Sequence, residues 1–178
     1  MFSIITAISQ CLPSSPHPKE EQEPRHVIVR TFDGGKFNIP FSKFGKDGNP
    51  LEGTAVSPDD VRSLTFSKDI DYLSGDNYWR RGFKNLTSVD FERGSNLHTI
   101  GDYCFSGCFN LSTIVFPEKL VTIGDYAIEA TSVSQIVLPS SVKNIGDSAF
   151  WIDTLRKVMA PKGIPRFRVG EGVNVTRY

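Results

Sequence analysis

The sequence predicts a repeat solenoid of short parallel strands joined by turns or short non-helical segments, flanked by β-hairpin caps. Three observations predict it. A six-residue apolar pattern recurs at a near-constant step between residues 61 and 160. Gly and Pro, 15 and 11 in number, punctuate that pattern at fixed places. The 13 phenylalanines suit an aromatic core wrapped by many short turns better than they suit long helices. At 178 residues the chain reads as one domain with a tail.

The tail comes first. Phe2, Ile4, Ile5, Ala7 and Ile8 form a short apolar patch, but no Lys or Arg precedes it and polar residues interrupt it. A secretory signal needs a basic start and a longer apolar run, so this stretch reads as a segment packing against the body. Pro13, Pro16, Pro18 and Pro24, among mixed charges, cannot bury a core and read as an extended linker. Residues 1–25 are therefore expected to be a flexible segment and linker. An N-terminal cap is expected over 26–60. There Val27 to Phe32, the turn Asp33-Gly34-Gly35, and Lys36 to Phe41 read as a hairpin. Phe37, Ile39 and Phe41 alternate, giving an apolar face suited to covering the first rung.

Repeats are expected over 61–165, as about five rungs. Leu86-Thr87-Ser88-Val89-Asp90-Phe91 is echoed from Val61, Leu111, Val133 and Leu155, so the steps are 25, 25, 22 and 22. A second half follows the middle echoes: Leu97 to Asp102, Leu120 to Asp125 and Val142 to Asp147, each ending Ile-Gly-Asp. Then come Cys104-Phe105, Ala127-Ile128 and Ala149-Phe150, and a proline recurs at Pro117, Pro139 and Pro161. Extra length is local: Phe91 to Leu97 is six residues where Phe116 to Leu120 and Leu138 to Val142 are four. One such unit cannot bury its apolar face alone, whereas stacked rungs make a continuous core and a parallel ladder. The Gly after each Ile suits a tight turn, and each Pro ends a strand.

These residues resemble the BspA-like leucine-rich repeat family, whose members carry L-x-x-I-x-(I/L)-P…I-G-x-x-A-F. The resemblance covers Val61 to Pro161; it departs at the first rung, at Ile128 in place of Phe, and before His26. It implies a curved solenoid of leucine-rich-repeat type used for adhesion or protein binding, often on bacterial or protozoan cell surfaces. After the repeats, Arg166 to Val169, Gly170-Glu171-Gly172 and Val173 to Val175 read as a second hairpin, so 166–178 is expected to be the C-terminal cap. An uncovered ladder end invites aggregation, which is the physical reason to expect caps.

Composition limits the function. Lys plus Arg and Asp plus Glu are 20 each, and the zero net charge argues against a nucleic-acid partner. No apolar run approaches the roughly 18 residues of a transmembrane segment. Among His17, His26 and His98 no metalloprotease or phosphate-loop motif occurs, and Cys11, Cys104 and Cys108 make no disulfide framework. A zinc site from Cys104, Cys108 and His98 is outweighed by core packing, since Cys104 fills the slot of Ala127 and Ala149. Asp69, Asp71 and Asp76 lack the Gly and Glu of a calcium loop. Asp102, Asp125 and Asp147 recur with the repeat, which favours a turn hydrogen bond over catalysis. Sequons occur at Asn85, Asn110 and Asn174; the first two, each just before a rung's leading Leu, are read first as turn asparagines.

What remains is the ladder's outward face. The candidate partner-binding residues are Ser88 and Asp90, Thr113 and Val115, Gln135 and Val137, and Lys157 and Met159. Along the rungs the second member of each pair drifts from polar to apolar. The expectation is a non-enzymatic protein-binding or adhesion module without cofactor, its partner a protein such as a host or matrix protein. An intracellular scaffold is the alternative. Location at the cell surface or outside follows from the resemblance, a cytoplasmic one from the weak N-terminal patch; the sequence leaves the oligomeric state open.

Overall fold

The computed structural model describes residues 25–44, 51–54, 56–75, 83–164 and 166–178. The expected N-terminal linker and Asp76 lie outside the described residues. Strands β1 (His26–Thr31) and β2 (Lys36–Pro40) form an antiparallel hairpin, and β1 pairs antiparallel with β3 (Val61–Phe66). From β3 onward the pairing is parallel. Strands β3, β5 (Ser88–Phe91) and β7 (Thr113–Ile114) form one sheet with the hairpin; β9 (Gln135–Val137) and β11 (Lys157–Ala160) continue in another. Each of the first four rungs then makes a two-residue strand: β4 (Tyr72–Leu73), β6 (Thr99–Ile100), β8 (Thr122–Ile123) and β10 (Asn144–Ile145), a second parallel ladder. Helix is confined to two three-residue 3-10 turns, Phe41–Lys43 and Pro58–Asp60, among the described residues.

The repeat writes the core as rows. Val61, Leu86, Leu111, Val133 and Leu155 lead the rungs and are all buried, as are Leu64, Val89, Ile114, Ile136 and Val158 three residues on. Leu97, Leu120, Val142 and Ile164 form the row opposite, and Phe66 stacks on Phe91 at 5.4 Å between ring centroids. Strand alternation sends these side chains inward and their neighbours outward. Among the described residues no buried side-chain nitrogen or oxygen lacks a hydrogen-bond partner.

The Ile-Gly-Asp turns hold the rungs together in a way that differs from the expected glycine turn. Gly101, Gly124 and Gly146 do not carry the positive φ; the left-handed residues are Tyr103, Tyr126 and Ser148, at φ 56°, 53° and 52°. Glycine is needed because rungs touch there. A Cβ on Gly124 would lie 2.6 Å from the Asp102 nitrogen, and one on Gly146 would strike Asp125 in the same way. This close approach lets the Asp102 carboxylate accept the Asp125 N–H at 2.8 Å, and Asp125 accept the Asp147 N–H at 2.7 Å. The recurring aspartates thus form a ladder of bonds between rungs rather than within a turn.

The C-terminal segment also takes a different form from the hairpin expected there. Strand β12 (Asn174–Arg177) pairs parallel with β11, from Lys157↔Asn174 to Ala160↔Arg177. A parallel partner needs a crossover, and within it Phe167, Val169 and Val173 pack against the core. Phe167 packs edge-on to Phe150 at 5.6 Å, and the Arg177 guanidinium sits 5.2 Å from the Phe167 ring centroid while donating to the Pro161 and Ile164 carbonyls. A local hairpin would have left the edge of β11 open; the observed path pairs it.

Candidate binding surface

Register places the expected surface residues in two rows. Ser88 pairs with Thr113, Gln135 with Lys157 and Val137 with Met159, while Asp90 continues the row from Thr65. Thr113, Val115, Gln135, Val137 and Lys157 are exposed, and Ser88, Asp90 and Met159 are half-buried. Val115 and Val137 stand out, with 59% and 50% of their surface open.

Between these two valines the ladder is interrupted. Strand β7 pairs only with β5 and β9 only with β11 among the described residues, although the Ser132 N–H still reaches the Leu111 carbonyl at 2.8 Å. A groove of about 440 Å³ opens along this seam, lined by Thr113, Val115, Phe116, Gln135, Val137 and the C-terminal Tyr178, among others. Tyr178 lies across it, its hydroxyl donating to the Leu138 carbonyl. Sequence reasoning found the walls by alternation and missed both the seam and Tyr178. No local pattern signals which rungs fail to pair, or that the last residue returns to the third and fourth rungs.

None of the other chemistry-bearing residues described lines this groove. Cys104 and Cys108 are buried thiols outside any disulfide; burial pushes Cys104 well above its ordinary pKa and Cys108 up to about 12. Neither is a thiolate nucleophile at neutral pH. His98 is exposed, and no three His, Cys, Asp or Glu side chains gather as metal ligands among the described residues. Asp71 pairs with Arg25 at 3.4 Å. The Asn85 amide donates to the Asp59 carbonyl and the Asn110 amide to the Lys84 carbonyl, both at 2.9 Å, so these asparagines tie each rung to the one before. Asn174 is exposed on β12.

Residues 61–169 match the BspA type leucine rich repeat region in six copies. The chain belongs to the BspA-type leucine-rich repeat family. No curated protein matches the sequence significantly. Among solved structures, the pneumococcal vaccine antigen PcpA is similar at 19% identity with a TM-score of 0.52, over 85% of this chain and 37% of that one. A leucine-rich repeat protein from Bacteroides ovatus is similar at 16% identity and a TM-score of 0.51, over 84% of this chain and 43% of that one. At these identities the likeness is one of fold, and this BspA-type chain spans less than half the length of either neighbour. No helix among the described residues is long and apolar enough to cross a membrane.

Proposed function

We propose that the chain is a non-enzymatic protein-binding module whose contact surface is the outward ladder face at β5, β7, β9 and β11, and that it serves adhesion at a cell surface. The observation that carries this reading is the pair Val115 and Val137, the most exposed aliphatic residues among the described residues, at the mouth of the seam groove. Thr113, Gln135 and Lys157 supply polar contacts around it, which is the layout of an apolar centre with a polar rim. Ser88, Asp90 and Met159 extend the surface on either side. Its membership of a repeat family built for protein contact, and its likeness to a pneumococcal antigen, support the reading.

Size sets the expected mode. Five rungs at about 4.8 Å by four strand residues give a face on the order of 250 Å², below the roughly 800 Å² per partner of a standard interface. Tight binding therefore draws on loops, caps or several copies acting together. The test is binding to immobilised extracellular-matrix proteins by the wild type and by V115D/V137D, with circular dichroism to confirm that both fold. Binding that the double variant loses supports the face; binding it retains moves the contact elsewhere. Protease shaving of intact cells, against a cytosolic control, tests the location: a chain protected until lysis is an intracellular scaffold.

A further inference from the structure

We propose that a second groove, beside Trp151 at the C-terminal end of the solenoid, receives an arginine side chain from a protein partner. The groove holds about 420 Å³ between the turn of the fourth rung and the C-terminal crossover. Ile152, Leu155 and Val169 line its apolar part, and Trp151, Asp153 and Glu171 complete it.

Trp151 is not part of the buried core. Its neighbours Phe150 and Ile152 are buried, whereas Trp151 is 55% exposed. The backbone holds it in place: the Trp151 N–H donates to the Ser148 carbonyl at 3.1 Å, and its carbonyl accepts the Ala130 N–H at 3.0 Å. The equivalent positions in the two preceding rungs are Ser106 and Glu129, polar residues that bond each other at 3.0 Å. The fourth rung thus has an exposed tryptophan where the preceding two have a polar rung contact.

Charge selects the occupant. Asp153 and Glu171 are exposed, neither belongs to an ion pair among the described residues, and no Lys or Arg lines the groove. The guanidinium that comes near, Arg156, donates instead to the main-chain carbonyls of Asp153 and Leu155, at 2.8 and 3.0 Å. An aromatic wall, an apolar floor and two carboxylates outside any ion pair among the described residues complement a cation with a flat face. A guanidinium stacks on an indole and donates in a fork to a carboxylate, while its methylene stem covers apolar surface. A phosphate or carboxylate would be repelled. This inference does not rest on the ladder face being a contact surface, and its test is separate.

The test is a ¹⁵N–¹H titration of the full chain with acetyl-Gly-Arg-Gly-amide, reading the Trp151 indole Nε1–H, which W151F identifies. The comparison peptide carries citrulline, which keeps the shape and removes the charge. Expected are a saturable shift with the arginine peptide and binding about tenfold weaker with citrulline. D153N/E171Q should weaken the arginine peptide about tenfold and leave the citrulline peptide unchanged, and rising salt should weaken the arginine peptide alone. All three substituted positions are exposed, so unchanged backbone amide spectra serve as the folding control. No shift at Trp151, equal response to both peptides, or full binding to D153N/E171Q would each overturn the proposal.

Discussion

Two residue types decide how tightly the rungs stack. Gly124 faces the Asp102 main chain, so Gly124→Ala forces a Cβ to within 2.6 Å of the Asp102 nitrogen. Overpacking of this kind costs about 1–3 kcal/mol, whereas Gly170→Ala meets nothing within 4 Å and is expected to stay within about 0.5 kcal/mol of wild type. Urea unfolding of the two variants checks this; equal midpoints would show that the rungs can separate without cost. The thiols give a pH dependence with a definite sign. Cys104 and Cys108 hold their protons more tightly folded than unfolded, because burial disfavours the thiolate. Their contribution is complete below an unfolded thiol pKa of about 8.5 and falls as pH rises toward the folded value. For Cys108 that value is about 12. Between pH 9 and 11 the stability of the wild type should therefore fall more steeply than that of C104A/C108A, by about 1.4 kcal/mol per pH unit from Cys108, with Cys104 acting in the same direction. Parallel slopes from urea titrations would contradict burial as the cause.

At the scale of the element, the C-terminal strand offers the sharpest test of topology. Asn174 and Tyr178 donate their N–H groups to Arg156 and Ala160 at 2.9 and 3.1 Å. Strand alternation points Thr176 the same way and turns Val175 toward the open edge. Thr176→Pro removes a ladder bond and should destabilise by about 2 kcal/mol; Val175→Pro sits at an edge that proline tolerates and should cost about 1 kcal/mol or less. A hairpin over the same residues has no reason to give that order, so the two melting temperatures distinguish the arrangements. The contrast explains what was legible in the sequence. The rung strands were readable because each repeats a spacing that appears several times, and Leu86, Val89 and Phe91 declare their face by alternation. The fate of β12 was not, since Gly170-Glu171-Gly172 is a local turn signal while the partner of β12 is fixed by the distant open edge of β11. The glycines were legible as a recurring feature and misread in cause, because contact between rungs is invisible within one rung. The candidate face was legible for the same reason as the rungs. Trp151 and Tyr178 were not, as each matters through what lies beside it in space.

Across the whole molecule, the seam between β7 and β9 raises the question of whether the solenoid divides there. The ladder of β4, β6, β8 and β10 runs unbroken past it, with Asn144 and Gly146 donating to Val121 and Ile123 at 3.1 and 2.8 Å. The turns add further bonds between the same two rungs, Tyr126 to Asp147 at 3.0 Å and Ile128 to Ala149 at 3.1 Å. The opening is thus confined to the outward face, and a repeat protein's stability is largely a sum of such nearest-neighbour contacts. The amides of Gln135 and Val137 should exchange with solvent by local opening, at rates that low urea barely changes. Those of Asn144 and Gly146, in the same rung, should exchange only with larger unfolding and respond steeply to urea. Native-state hydrogen exchange followed by NMR separates the two classes within one experiment. If Gln135 and Val137 prove as protected as Asn144, the two strands pair in solution and the groove closes, taking with it the opening on which Val115 and Val137 depend. If all four exchange together at low urea, the rungs part on both faces and the solenoid is two cooperative units joined at this seam.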